Sequence, residues 1–188
     1  MSAQDTALIV IDAQESFRQR DYWNEHEAKP FIDRLQQLVD GANKAGIAIV
    51  QVFHVDPSGP FSLASGHVKI IAPLSITPEV VIHKHRHSAF IGSPLGVWLT
   101  ERGIRRLLIS GIRTEQCCET TTRHASDLGY AVDFVSEATL TFGMTDLDGR
   151  AWSGAEIKAR TELVLEDRFA RVVTVEQALA DPAVRRAA

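Results

Sequence analysis

Cysteine is scarce in this chain of 188 residues: there are two, adjacent at Cys117 and Cys118. Neighbouring cysteines supply no disulfide scaffold, no C-x-x-C redox pair and no zinc-ligand spacing. Long apolar runs are also missing. The longest, Ala7 to Ile11, falls far short of the ~20 residues that span a bilayer. Nothing at the N-terminus resembles a secretory signal, because Gln4 and Asp5 stand where a basic region would be. Nor is there an excess of positive charge. With 20 basic and 24 acidic side chains, the formal net charge is -4, which offers no field for gathering phosphates and argues against nucleic-acid binding. A soluble protein of a reducing, cytoplasmic compartment is the expectation. Apolar residues make up 45% of the chain, enough for a core that needs neither disulfide nor structural metal. At this length one domain, residues 1–188, is expected.

Patterning points to an α/β chain. Ala7 to Ile11 is continuously apolar and ends at Asp12, as a strand buried on both faces would. Pro30 opens a helical pattern with Phe31, Leu35, Leu38, Ala42 and Ala45 on one face and Gly46 as its stop. Further strands are expected at Ile47 to Phe53, Val80 to Lys84, Arg106 to Gly111, Ala131 to Ser136 and Arg171 to Val175. Helices alternate with them. One is opened by Ser93-Pro94 and turns Leu95, Trp98 and Leu99 inward; another carries Cys118, Thr121, Ala125 and Leu128 on one face. Ser153 and Glu156 form a capping box before Ile157, Thr161 and Val164, and Thr174 with Gln177 caps a terminal helix. Strictly alternating strands and helices imply a three-layer α/β/α, Rossmann-like architecture with a mainly parallel sheet.

Connection lengths are lopsided. Helix-to-strand links are short, whereas Ala13 to Lys29, His54 to Glu79 and Glu137 to Trp152 are long and all leave strand C-termini. Long irregular segments crowd one sheet edge, the edge where open α/β sheets bind ligands. Three reactive side chains gather there: Asp12 ends the first strand, Lys84 ends the third, and Cys117 follows the fourth where a helix begins. Alone, Asp12 could be a solvated strand end and Lys84 a surface lysine; together they form a buried carboxylate with its cation. A thiol in the first turn of a helix is expected to have a lowered pKa, with helix N–H groups ready for an oxyanion. Cys118 is expected to be an inert, packed thiol.

Three motifs in this order resemble the isochorismatase-like cysteine hydrolases, a family that includes nicotinamidases and N-carbamoylsarcosine amidase. They are Leu8-Ile-Val-Ile-Asp12-Ala-Gln14 with Phe17, then Lys84 with Ser88-Ala-Phe90, then Gly111-Ile-Arg-Thr114-Glu-Gln-Cys117 with Thr121, Ala125 and Gly129-Tyr130. The resemblance, from about Ala7 to Val175, implies a six-stranded parallel core and a catalytic triad of Asp12, Lys84 and Cys117. It also implies a cis peptide at Ile112-Arg113 that turns the Arg113 N–H toward the Cys117 N–H, the pair forming an oxyanion hole. Gln14, Phe17, Trp23, Arg113 and Trp152 are the expected substrate contacts. The partners implied are a small amide or ureide substrate and further copies of the chain in a homo-dimer or homo-tetramer.

Departures from the family pattern matter as well. A bulky cation at Arg113, where small residues are common, could meet an anionic substrate group or point to solvent or a partner subunit. Val52 stands two residues before His54, so the Asp-x-His core of a nicotinamidase metal site is missing, and no metal or cofactor is expected. His83, His85 and His87 are expected to pack or cap around the strand end rather than to bind zinc. Gly92-Ser-Pro-Leu-Gly96 lacks the spacing of a phosphate loop. The expected activity is metal-independent hydrolysis of a C–N bond through a Cys117 thioester. Vinyl-ether hydrolysis of isochorismate is one alternative; a catalytically weak binding or assembly protein is the other.

Overall fold

A strand of five unbroken apolar residues can be satisfied only at the centre of a sheet covered on both sides. The computed structural model, which describes residues 3–180, places it there. Strands β1 (Thr6–Ile11), β2 (Ala48–His54), β3 (Val80–Lys84), β4 (Arg106–Ile112), β5 (Ala131–Leu140) and β8 (Arg171–Val173) form one sheet in the order β3-β2-β1-β4-β5-β8. Every neighbouring pair is parallel. Two short strands, β6 (Met144–Thr145) and β7 (Ala151–Trp152), pair separately as an antiparallel hairpin. The helices are α1 (Glu25–Ala45), α2 (Leu95–Glu101), α3 (Glu119–Asp127), α4 (Gly154–Leu165) and α5 (Val175–Leu179).

Alternation along β1 divides the core into two. Leu8 and Val10 face a cluster with Phe31, Leu35 and Leu38 of α1, whereas Ala7, Ile9 and Ile11 face Leu95 and Leu99 of α2 and Ala125 of α3. Helices on both faces give the expected three layers. Both capping boxes are present, Ser153 with Glu156 and Thr174 with Gln177. Among the described residues no helix is long and apolar enough to cross a membrane.

Several boundaries differ from expectation. Helix α1 begins at Glu25, capped by Asn24, and Pro30 lies inside it. The ~3 kcal/mol that an interior proline costs is offset by the long apolar face α1 lays on the sheet. Strand β5 continues to Leu140 through residues expected in a loop; its pairing with β4 slips from Ile109↔Phe134 to Gly111↔Thr139, so β5 absorbs extra residues as a bulge. Leu128, expected on the inner face of α3, is 53% exposed at the helix end, and on α4 it is Leu165, not Val164, that is buried.

Glycine is required at one point beside the site. Gly111 has φ 125°, and a Cβ there would sit 1.8 Å from the Ile11 carbonyl oxygen. Its absence lets the end of β4 close against the end of β1, immediately before Asp12.

Candidate active site

Strand order decides what meets at the C-terminal edge. The order of connection reverses between β1 and β4, which is where open α/β sheets form their ligand crevice. Asp12 leaves β1 at that point with φ 51°, a left-handed conformation that costs a non-glycine residue about 1 kcal/mol or more. Pairing holds it there: the Asp12 N–H donates to the Val52 carbonyl at 2.8 Å, and the Gln14 N–H donates to the Asp12 carbonyl at 2.8 Å. Lys84, the last residue of β3, lies fully buried and reaches across the end of β2. Its ammonium Nζ is 2.7 Å from Asp12 Oδ2, 3.3 Å from Cys117 Sγ and 3.1 Å from His54 Nδ1. Cys117 sits in a single π-helical turn, Thr114–Cys118, that leads into α3. The Gln116 and Cys118 N–H groups on either side of it both donate to the Arg113 carbonyl. The Ile112-Arg113 peptide is cis.

Electrostatics at the thiol run against the sequence expectation. Burial pushes the Cys117 pKa up, the Asp12 charge adds to this, and Lys84 opposes it without prevailing. Cys117 therefore rests as a neutral thiol, a form that is a weak nucleophile until a base takes its proton. Burial also works against the Lys84 charge, but Asp12 and Cys117 together hold that pKa above its ordinary value. Cys118 is fully buried, its pKa raised by burial, as expected of an inert thiol.

The expected substrate contacts separate on inspection. Phe17 and Trp23 belong to an aromatic wall: Phe142 stacks on Phe17 at 6.3 Å and meets Tyr22 at 4.8 Å and Trp23 at 5.7 Å, while Phe61 meets Phe17 edge-on at 5.0 Å. Arg113 turns into this wall, with its guanidinium 4.3 Å from the Tyr22 ring centre and 5.2 Å from that of Phe142. Gln14 is elsewhere employed. Its amide donates to Ser16 Oγ at 2.8 Å and to the His54 carbonyl at 3.1 Å, and accepts from the His54 N–H at 2.8 Å. One amide hydrogen and the amide oxygen are thus spent on the His54 peptide at the end of β2, and the other hydrogen on Ser16, so the side chain positions His54. Trp152 departs from the expectation too: its indole N–H donates to Asp146 Oδ2 at 2.8 Å, and it lines a cavity under the β6–β7 hairpin.

Two histidines lie at the site that the sequence did not assign to it: His54, considered only for a metal motif, and His87, expected to pack or cap around the strand end. His54 joins the wall to the cluster of Asp12, Lys84 and Cys117, 6.0 Å from the Phe61 ring and in contact with Lys84. His87 brings Nδ1 to 3.8 Å from Cys117 Sγ from an exposed position. His85 caps the Val55 carbonyl at 2.7 Å and His83 packs beside Phe53, so those two behave as expected. The alternating His-x-His-x-His pattern was the available signal, but it does not reveal that the chain turns after Lys84 and aims only the third ring at the thiol. Among the described residues no group of three or more His, Cys, Asp or Glu side chains could hold a metal ion.

Comparisons with known proteins give the family and the fold. A model of the isochorismatase domain matches residues 6–177. The chain is 30% identical to the uncharacterized isochorismatase family protein YrdC of Bacillus subtilis, over 93% of this chain and 95% of that one. It is 27% identical to the ureidoacrylate amidohydrolase RutB of Variovorax paradoxus, covering 94% and 81% of the two chains. Among solved structures, an isochorismatase from Pseudomonas putida superimposes with a TM-score of 0.81 at 28% identity, over 94% and 91% of the chains.

Proposed function

The chain belongs to the isochorismatase family of hydrolases, and from that premise we propose that it hydrolyses the C–N bond of a small amide or ureide through a thioester on Cys117. The observation that carries the reading is the contact set around one ammonium: Lys84 Nζ lies 2.7 Å from Asp12 Oδ2 and 3.3 Å from Cys117 Sγ. Asp12 is the base. Because the thiol rests protonated, Asp12 takes its proton as sulfur attacks the carbonyl, and the same proton then passes to the leaving nitrogen. Lys84 keeps the carboxylate charged in a water-poor site and offsets the negative charge that grows on sulfur. The oxyanion is assigned to the backbone N–H groups of Arg113 and Cys117. Water then cleaves the thioester, with Asp12 acting in the reverse direction. Similarity to a ureidoacrylate amidohydrolase supports the amide or ureide class, and the aromatic wall of Phe17, Trp23 and Phe142 suits a small, flat substrate.

A panel of small amides and ureides, monitored for released ammonia, tests this directly. Wild type should turn over at least one member, and Cys117→Ala should lose about 10³-fold or more. Stoichiometric alkylation of Cys117 by iodoacetamide should likewise stop turnover. Undiminished ammonia release by Cys117→Ala would overturn the mechanism. The similarity to an isochorismatase of known structure favours a second reading, vinyl-ether hydrolysis driven by Asp12 alone; pyruvate released from isochorismate by the Cys117→Ala protein would select it.

A further inference from the structure

Strand register brings His54 to Lys84. The two are partners at the ends of the parallel strands β2 and β3, so their side chains stand side by side on one face of the sheet. On that face Val52 and Ile82, two residues earlier on each strand, share a core cluster with Cys117.

An ammonium has three hydrogens to donate and accepts none. Lys84 Nζ has three polar atoms around it: Asp12 Oδ2 at 2.7 Å, His54 Nδ1 at 3.1 Å and Cys117 Sγ at 3.3 Å. The imidazole nitrogen it faces is therefore the one without a hydrogen, and the ring carries its hydrogen on Nε2. Asp56 Oδ1, 3.0 Å from Nε2, accepts that hydrogen. His54 is fixed through its backbone as well. Its N–H donates to Gln14 Oε1 at 2.8 Å, its carbonyl accepts from Gln14 Nε2 at 3.1 Å, and the N–H of Val55 donates to the Lys84 carbonyl at 2.9 Å. Asp12 and Cys117 take two of the three directions open to the ammonium. Without an acceptor in the third, the fully buried Lys84 would keep an unsatisfied N–H and turn to meet a partner.

We propose that His54 is a positioning residue for Lys84: its Nδ1 takes the third ammonium hydrogen and fixes the rotation of Nζ, so that Asp12 and Cys117 keep the other two, while Asp56 selects the ring tautomer that can do this. For its effect on turnover the proposal rests on the hydrolysis assigned to Cys117, but the placement of Lys84 is also readable from the thiol alone.

Three replacements at one position test it, because an asparagine amide reaches the place of Nδ1, a glutamine amide reaches the place of Nε2, and leucine offers no acceptor. His54→Leu should lower kcat about 10²-fold with KM within about twofold of wild type, as expected where only the reacting groups are misplaced. His54→Asn should recover to within about tenfold of wild type, whereas His54→Gln, which still serves Asp56 but offers Lys84 nothing, should stay as slow as His54→Leu. Asp56→Ala removes a side chain that is 49% exposed, so it tests the same chain of contacts without disturbing the core; kcat should fall about fivefold. Iodoacetamide supplies a readout that needs no substrate. Lys84 opposes the rise in the Cys117 pKa, so alkylation near neutral pH should slow about three- to tenfold in His54→Leu and His54→Gln and return toward the wild-type rate in His54→Asn. The proposal is overturned if His54→Leu matches wild type in both assays, if His54→Gln restores them as well as His54→Asn does, or if Asp56→Ala keeps the full kcat. Wild type that hydrolyses no amide yet shows this order of alkylation rates would remove the amide reading and support the placement of Lys84 by His54. Turnover that needs Cys117 but is alike in all three His54 variants would do the opposite.

Discussion

Asp12 and Asp133 are both carboxylates buried in the central sheet, 1% and 3% exposed, and they sit toward opposite ends of it. Asp133, near the N-terminal edge, is gripped by two arginines. Arg106 donates from Nε to Oδ2 at 2.9 Å and pairs with the same oxygen through Nη2; Arg171 donates to Oδ1 from Nε at 2.8 Å and from Nη2 at 2.7 Å. Asp12, at the C-terminal edge, has one ammonium at Oδ2, which also contacts the Cys117 thiol, and Oδ1 receives no hydrogen bond from the described residues. Burial is alike, so it does not separate the two. Donor supply does: a carboxylate saturated by planar guanidinium forks holds structure, whereas one left short of donors beside a single ammonium retains the capacity to accept a proton.

Asparagine at each position is the strongest way to break the contrast. Asp12→Asn should lower amide turnover by about 10²- to 10⁴-fold in a protein that stays folded, since it removes the proton acceptor. It should also speed iodoacetamide alkylation of Cys117 near neutral pH, because the Asp12 charge is one of the causes holding that thiol protonated, second to burial. Asp133→Asn should do the reverse. It should cost about 3–5 kcal/mol of stability by leaving buried guanidinium without its anion, with turnover per folded molecule nearly unchanged. Denaturant titration beside single-turnover kinetics reads both. An Asp133→Asn protein that is stable but inactive would erase the distinction.

Much of the Asp12 end was legible in the sequence, because its parts lie at the ends of apolar runs that could only be central strands. Asp12 after Ile11, Lys84 after Ile82 and His83, and Cys117 after Gly111 were placed on one edge by alternation alone, and the capping boxes fixed α4 and α5. Three things were not legible, each set by packing rather than by local pattern. The pKa of Cys117 depends on what surrounds sulfur in space, and the loss of water and the approach of Asp12 raise it against the pull of Lys84. Gln14 looked available for substrate, yet its amide is consumed by Ser16 and by His54, a residue 40 positions away. The continuation of β5 to Leu140 rests on a bulge in its pairing with β4, which no periodicity announces.

The two ends should also differ in their response to alkali. Burial raises the pKa of Cys117 and Cys118 above the ordinary thiol value of 9.0, and both thiols lie toward the Asp12 end. A thiol whose folded pKa is raised contributes its full share below the unfolded value; above it, the unfolded chain ionises while the folded one cannot, and stability falls. Between about pH 9 and pH 10.5 each thiol should therefore remove about 1.4 kcal/mol per pH unit. Cys117→Ala should roughly halve the wild-type slope, as should Cys118→Ala despite its lower starting stability. An Asp133→Asn protein should keep the full slope. Urea titrations at stepped pH distinguish these cases, and a slope untouched by either cysteine change would place the alkaline sensitivity elsewhere.

Within the Asp133 cluster, exposure makes the finest distinction. Arg171 is 48% exposed and Arg106 only 6%, although both reach the same carboxylate. Water can replace the half-exposed guanidinium as it leaves Oδ1, while Arg106 still holds Oδ2 and donates to the Ala178 carbonyl at 3.1 Å. Arg171→Ala should therefore cost under about 1 kcal/mol, the scale of a solvent-screened pair, and 0.5 M salt should shrink that cost further. Turnover should be unaffected, because the change lies at the far end of the sheet from Cys117. Should Arg171→Ala instead destabilise as severely as Asp133→Asn, saturation of the carboxylate would have to be a joint property of both arginines. The buried pair with Arg106 would then not be sufficient by itself, and the single ammonium beside Asp12 would mark a deficit deeper than one missing donor.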